Sequence, residues 1–555
     1  MKTRNFKIIS HLFILGTFAT GIIACGGGGG APATLAPAVP PVTISGTVTY
    51  TDYDIGAAGI IYTSEKTKAI RGAVVELRNS VGTVLLASAN TSETGGYTFS
   101  APANQSVSIV VKAALGTPAA PDTKVLDNTN SDALYALTKA VTTTTSNVTE
   151  NFNAGSGYDG SSYTGLRASA PFAILDVIHQ GRLFVLAADP TVVFPPLTVQ
   201  WSAKNKTVAN GDIKLGDGPG TSYNAPNLWL NGAPDLDTDE YDSTVIAHEW
   251  GHYVQEKLSA SHSPGGDHTL NDILHPSLAF DEGFATAMGS MIMNDTTQIN
   301  TLGAKQATGS VLTANIEADS VTDTDKSTAP PPPDTAFLLD GIYAEVSIIE
   351  IMWDLFDSGV NGAADDDNVA LGFVPIFKVM TNGHKNTDAL TSIYSFIHFL
   401  KLEVPASKDA IDVITGAENI DTVGADEYEK TPDSLYDLVT IDTPKALRTF
   451  NFFGPATEAN LGGNKLFNFR YLKSTIPAQG CYTFTATPTG AAAATTDLVF
   501  AIGGVGTLNN NPVGVPEVLS VSLDPGPGVI QVGAFSDNAL FSFTYALASS
   551  PTLCN

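Results

Sequence analysis

The sequence predicts a multidomain chain: an α+β domain, largely helical in its C-terminal half, flanked by one β-sandwich before it and another after it. Three observations lead there. At 555 residues the chain has room for three or four domains of about 150 residues each. Residues 43–113 and the stretch from about 455 alternate apolar and polar side chains between turns. From about 168 to 401 the apolar positions recur at helical spacing instead. Apolar residues make up 43% and charged residues 15%, enough for real cores. Against 56 Asp and Glu there are only 28 Lys and Arg, a net charge of −28. No basic face can then neutralise a phosphate backbone, which argues against a nucleic-acid partner. Three cysteines exclude a disulfide scaffold and a Cys-based zinc ribbon.

Residues 1–24 read as an address. Lys2, Arg4 and Lys7 precede an apolar stretch, Ile8 to Ala24, that is short for a membrane span. The segment Ile22-Ile23-Ala24-Cys25 followed by five glycines resembles a bacterial lipobox. That resemblance implies a lipidated N-terminal Cys25, a membrane anchor and an extracytoplasmic location at the outer membrane or cell surface. An ordinary signal peptide cut near Ala24 is the alternative. Residues 25–42 (Gly, Ala and Pro for the most part) read as a flexible tether. Cys481 and Cys554 remain as an even pair. A bridge between them would close a loop of about 74 residues, worth roughly 4 kcal/mol in the chain-entropy model; two free thiols are the alternative.

Residues 43–115 read as a β-sandwich on strands such as Val42–Tyr50, Ala73–Leu77 and Val107–Val111. The run ISGTVTY…AIRGAVVELRN…SETGGYTFSAP resembles carboxypeptidase-regulatory-like, transthyretin-like domains, which implies an accessory module. Residues 116–165, rich in Thr, Asn and Gly, read as a long connection with some strand. The central domain is expected over 166–454, with helices at 171–186, 243–258, 278–293, 342–357 and 387–401 and a strand at 197–203. A polar loop at 295–340 ends in Pro330–Pro333. Residues 455–555 read as the second sandwich and resemble the β-domains appended to secreted bacterial peptidases.

The chemistry centres on Asp242-Ser-Thr-Val-Ile-Ala-His248-Glu249-Trp-Gly-His252. Asp242 or Ser243 can cap a helix on which His248 and His252 stand at i and i+4, so both imidazoles leave one face. That spacing suits two nitrogen ligands of one Zn²⁺, with Glu249 beside them as general base. With 9 His and 17 Glu in the chain, His-Glu-x-x-His arises by chance about 0.004 times. A catalytic zinc needs a third protein ligand and an open fourth position. His262, His268, His275, Asp281 and Glu282 are the downstream candidates. Glu282 opens a second helix in which Gly283, Ala285 and Gly289 permit close packing on the first. His268 and His275 lie in a Ser-, Gly-, Pro- and Asp-rich stretch that reads as a loop.

PDLDTDEYDSTVIAHEWGH (234–252), DEGFATA (281–287) and IYAEVSIIEIMWDLFD (342–357) resemble the fungalysin family of secreted zinc metallopeptidases, within the thermolysin-like glutamate-zincins. The resemblance covers roughly residues 200–450. It implies a zincin-type domain, zinc ligands His248, His252 and Glu282, Glu249 as base, and a peptide or protein substrate. Tyr343 is the expected oxyanion donor and His384 a second candidate. Where the family has an Asp four residues after the ligand Glu, this chain has Thr286, so Asp281 or Asp242 is expected to orient a ligand histidine instead. Glu345 reads either as a supporting group or as solvated.

A peptide substrate lies as a strand against a sheet edge, and Asn227-Leu-Trp229-Leu-Asn231 is the expected edge, with Asn227 and Trp229 as substrate-binding residues. The run Asp235, Asp237, Asp239, Glu240 and Asp242 offers oxygen ligands for Ca²⁺, although a solvated turn is the plainer reading; the same holds for Asp365–Asp367. The functional expectation is an extracytoplasmic zinc endopeptidase. The alternatives are a surface binding or adhesion protein with a structural zinc site, and a zinc amide hydrolase acting on cell-wall material.

Overall fold

The computed structural model describes residues 39–270, 272–313, 316, 341–357, 369–387 and 389–428, and in the C-terminal part 436–439, 441, 449–450, 464–465, 469–491, 493–502, 506–508, 511–534 and 541–549. Cys25 with its leader, Pro330–Pro333, Asp365–Asp367 and Cys554 lie outside the described residues.

The protein is multidomain and rich in β-sheet, consistent with β-sandwich modules. The first is organised by one 15-residue strand, Val42–Gly56. It pairs antiparallel with Gly59–Ala69 and Gly96–Ala101, and parallel with Val148–Thr149 and Phe152–Ala154. Alternation along it is of period two: Val42, Ile44, Val48 and Tyr50 are buried, while Thr43, Ser45 and Thr49 are not. Their partners come from a four-stranded sheet ordered Ala136–Thr142, Ser106–Lys112, Val74–Asn79, Leu85–Asn90, whose Val75, Leu77, Ile109 and Val111 are fully buried.

The stretch 116–165, expected as a connection with some strand, carries a central strand of a sheet. Ala120–Asp127 lies inside a sheet ordered Ser222–Asn224, Asn227–Leu230, Leu197–Trp201, Ala120–Asp127, Ala114–Thr117. It is hydrogen-bonded on both sides, with Leu197 opposite Thr123 and Leu115 opposite Thr123. The Thr-rich composition hides the strand because Thr123 is buried as fully as Val125, and threonine suits a pleated surface. One apolar core consequently runs from Val42 to Ile420, so residues 43–165 share it with the helices rather than standing apart.

Four helices position the site: α1 (Ala170–Ala188), α2 (Ser243–Leu258), α3 (Pro276–Met293) and α4 (Glu345–Phe356). α1 is long and apolar enough to cross a membrane, but most of it is buried in the fold, as a core helix is. α3 is buried nearly all round, which a helix tolerates only when packed on several sides. Small residues set those distances. A Cβ on Gly251 of α2 would meet Ala285 Cα at 2.9 Å, and one on Gly289 would meet the His248 nitrogen at 3.1 Å. Gly283, expected against α2, serves α4 instead: its Cβ would meet Ile348 at 2.5 Å.

Two histidines act as neutral core groups. His275 caps α3, its Nδ1 accepting from Ser277 N at 3.1 Å. His384 lies against Phe280 and Phe396 with Nε2 2.7 Å from Ser395 Oγ. Burial, aided by nearby His262, pulls each down to about 3. Below about pH 6.5 the unfolded chain takes up protons that these folded rings refuse, so each ring makes stability fall as pH drops from there toward about 3. Urea unfolding at a series of pH values should show that slope, and His384→Gln should make it shallower.

The C-terminal part forms two sheets, ordered Tyr436–Val439, Phe469–Ile476, Gly526–Ala534, Leu498–Ile502, Gly506–Leu508 and Thr449–Phe450, Phe541–Ser549, Gly480–Thr489, Glu517–Leu523. Leu472, Phe484, Leu498, Val532 and Leu547 fill the space between them. Strands thus begin about twenty residues before 455. Cys481 is disulfide-bonded.

Candidate metal centre

α2 presents His248 and His252 one turn apart, with their Nε2 atoms 3.0 Å from each other. Glu282, arriving on α3, places Oε2 3.4 Å from His248 Nε2 and 3.1 Å from His252 Nε2. Three lone-pair atoms thus converge in a triangle with sides of 3.0, 3.1 and 3.4 Å. Ligands on a tetrahedral ion with bonds of about 2.0–2.1 Å stand about 3.3 Å apart, so the triangle fits one zinc.

The far side of each ring has a polar neighbour. His248 Nδ1 is 2.9 Å from Thr286 Oγ1, and His252 Nδ1 is 3.2 Å from Asp281 Oδ2. A proton on each Nδ1 leaves both Nε2 lone pairs free for a cation. Asp281 is itself fixed by Ser261 Oγ at 2.9 Å, and its carbonyl by Gln255 Nε2 at 2.7 Å. Of the two carboxylates expected to orient a ring, Asp281 is the one beside His252, whereas the Asp242 carboxylate accepts from Thr301 N at 2.6 Å, away from the rings. Thr286 supplies the partner for His248.

The electrostatics agree with a cation site. Burial works against a charged His252, yet Glu282 and Asp281 beside it hold it well above the usual histidine range. Burial alone would raise Glu282, and the two rings hold it well below the carboxylate range instead.

The centre opens into a groove of about 910 Å³. Glu249 lines it, its Oε2 accepting from Tyr223 N at 2.6 Å. Tyr223 belongs to Ser222–Asn224, the true edge strand of the mixed sheet. The expected edge is thus displaced by one strand. Asn227 and Trp229 lie on the next strand in, between Ser222–Asn224 and Leu197–Trp201, and Trp229 is buried. The hairpin around Ala225-Pro226 carries the signal, since a proline between two strand-like runs marks a turn.

Of the loop histidines only His268 faces the centre. Its Nε2 is 3.6 Å from Glu282 Oε2 and 3.5 Å from Glu345 Oε2. Burial opposes a charge on this ring, and the two carboxylates raise it nonetheless. Glu345, at the start of α4, is buried and lines the groove; burial, then the Glu282 charge, push it up to about 7. His262 pairs with Thr391 and His275 caps α3, so neither reaches the site. Tyr343 is not among the groove's lining residues; its carbonyl accepts from Leu274 N at 2.9 Å. His384, deep in the core, does not reach the groove either. His268 is one of five downstream candidates in the sequence, and spacing does not single it out, because its position depends on how a Gly- and Pro-rich loop returns over α3.

No family model matches the chain, and no curated protein matches it. Among solved structures it is similar to the pre-peptidase C-terminal domain of a collagenase from Bacillus anthracis, at 5% identity over 21% of this chain and 99% of that one, with a TM-score of 0.15. It is also similar to a family 35 carbohydrate-binding module from Clostridium thermocellum, at 11% identity over 20% of this chain and 96% of that one, with a TM-score of 0.14. A cycloisomaltooligosaccharide glucanotransferase from Paenibacillus aligns over 90% of this chain and 72% of its own, at 12% identity and a TM-score of 0.12. Likenesses of that size bear on neither fold nor function.

Proposed function

We propose that the chain is a zinc-dependent endopeptidase of the fungalysin-like, glutamate-zincin type, held outside the cytoplasm by a lipid on Cys25. The observation that carries this reading is the triangle of His248, His252 and Glu282 with Glu249 at its edge, facing a groove beside a strand that ends its sheet among the described residues. A zinc ion held by those three residues would polarise a scissile carbonyl and acidify a water. Glu249 would act as the base, accepting a proton from the attacking water and returning it to the leaving amine. Its bond from Tyr223 N ties the base to the strand along which an extended peptide would lie. His268, whose Nε2 lies 3.6 Å from Glu282 Oε2, would donate to the oxyanion that develops, the role expected of Tyr343.

Casein digestion and zinc content, each measured with and without a chelator, test this together. Hydrolysis that falls with zinc and returns on its addition supports the reading. A zinc-loaded protein that cuts neither casein nor a peptide panel contradicts it.

One observation favours a second reading. His268 Nε2 stands close enough to Glu282 Oε2, at 3.6 Å, to serve as a fourth ligand and close the site. The first reading expects His268→Ala to keep one zinc and lose about 10²–10³-fold in kcat. Loss of the zinc in that variant would instead make the centre structural, as in a binding protein.

A further inference from the structure

The acidic run before α2 is not the solvated turn its sequence suggests. Asp239, Glu240 and Asp242 are all but fully buried. Two of them are accounted for: Glu240 pairs with Arg167, and Asp242 accepts from Thr301. Asp237 and Asp239 are not. Their carboxyl groups face one another. One oxygen of each is engaged: Asp237 Oδ2 accepts from Asn231 Nδ2 at 2.8 Å, and Asp239 Oδ2 accepts from Thr221 Oγ1. The other two, Asp237 Oδ1 and Asp239 Oδ1, are buried with no donor among the described residues. No Lys or Arg among the described residues pairs with either acid.

A third acceptor belongs to the same cluster. Asn231 is 1% exposed and touches both acids, through Nδ2 to Asp237 and through its carbonyl, which accepts from Asp239 N at 3.3 Å. Its Oδ1 is buried and also lacks a donor among the described residues. Burying charged or polar oxygens without partners is costly. A proton shared by the two carboxyls would satisfy that pair and leave Asn231 Oδ1 unsatisfied. A hard cation would satisfy all three, since such ions take carboxylate and amide oxygens together.

We propose that Asp237, Asp239 and Asn231 bind a calcium ion, separate from the zinc centre. It would tie the strand end at Asn231 and the strand Asp237–Thr238 to the Asp239–Tyr241 turn that leads into α2. Burial pushes the Asp239 carboxyl well above the usual range, and the Asp237 charge adds to this; a bound cation reverses both effects. With few protein ligands the affinity belongs to the weak extracellular class, about 10⁻⁴–10⁻³ M.

Equilibrium dialysis of the full chain, carrying one equivalent of zinc, against radiolabelled calcium near neutral pH tests this independently of any peptidase activity. The wild type binds one calcium beyond the zinc. Asp237→Asn and Asp239→Asn each weaken that binding by about tenfold or more, and Asp267→Asn, on the groove wall, leaves it unchanged. Should Asp239→Asn fail to fold by circular dichroism, the less buried Asp237→Asn decides alone. No calcium on the wild type, or undiminished binding in the folded variants, overturns the proposal and leaves the acids as a proton-sharing pair.

Discussion

Glu249→Gln leaves one zinc per chain and lowers peptide hydrolysis by about 10²–10⁴-fold, the span that a positioned general base supplies. The substitution keeps the side chain's shape, and its amide oxygen can still accept from Tyr223 N, so the edge strand stays in place. What is lost is the ability to take a proton from water. The three atoms of the ligand triangle come from His248, His252 and Glu282, so metal content should not change. Zinc measured by mass spectrometry of the metal, beside initial rates on one fluorogenic peptide, separates these effects. A Glu249→Gln protein that retains the wild-type rate assigns the base elsewhere.

Glu282→Ala has the opposite signature: zinc content falls from one per chain toward zero, and activity goes with it. Two imidazoles alone make a weak, open site, and a catalytic zinc ordinarily needs a third protein ligand. The loss also reaches the rings. Burial lowers His252, and Glu282 is the largest influence raising it, so without Glu282 this ring loses affinity for a proton. Glu282→Gln, with its shape kept and its charge gone, checks that the fold survives. Full zinc occupancy in the alanine variant would move the third ligand to another residue, with His268 and Asp281 the nearest.

The parts of this site that can be read in the sequence are those fixed by local geometry. His248 and His252 are one turn apart on any helix, and Glu282 sits among small residues that let α3 approach α2. The helices at 170–188, 243–258 and 276–293 lie within a few residues of their expected spans because their apolar spacing is long and regular. What escapes depends on tertiary placement. His268, a candidate by sequence, is singled out only by the path of an irregular loop, and the edge strand is one hairpin arm earlier than Asn227–Leu230. Thr286 contributes through a hydroxyl 2.9 Å from His248 Nδ1, a partner that only tertiary placement decides. The strand Ala120–Asp127 and the burial of Asp239 and Asp242 are hidden for one shared reason: polar composition suggests exposure, while tertiary hydrogen bonds keep those residues inside.

The residue that divides a catalytic from a closed centre is His268, and zinc K-edge X-ray absorption on the purified protein reads its role directly. The proposed enzyme gives two imidazole nitrogens, one carboxylate oxygen and one light solvent atom at about 2.0–2.2 Å, with a spectrum unchanged in His268→Ala. A third imidazole in the wild-type spectrum that disappears in that variant would contradict it.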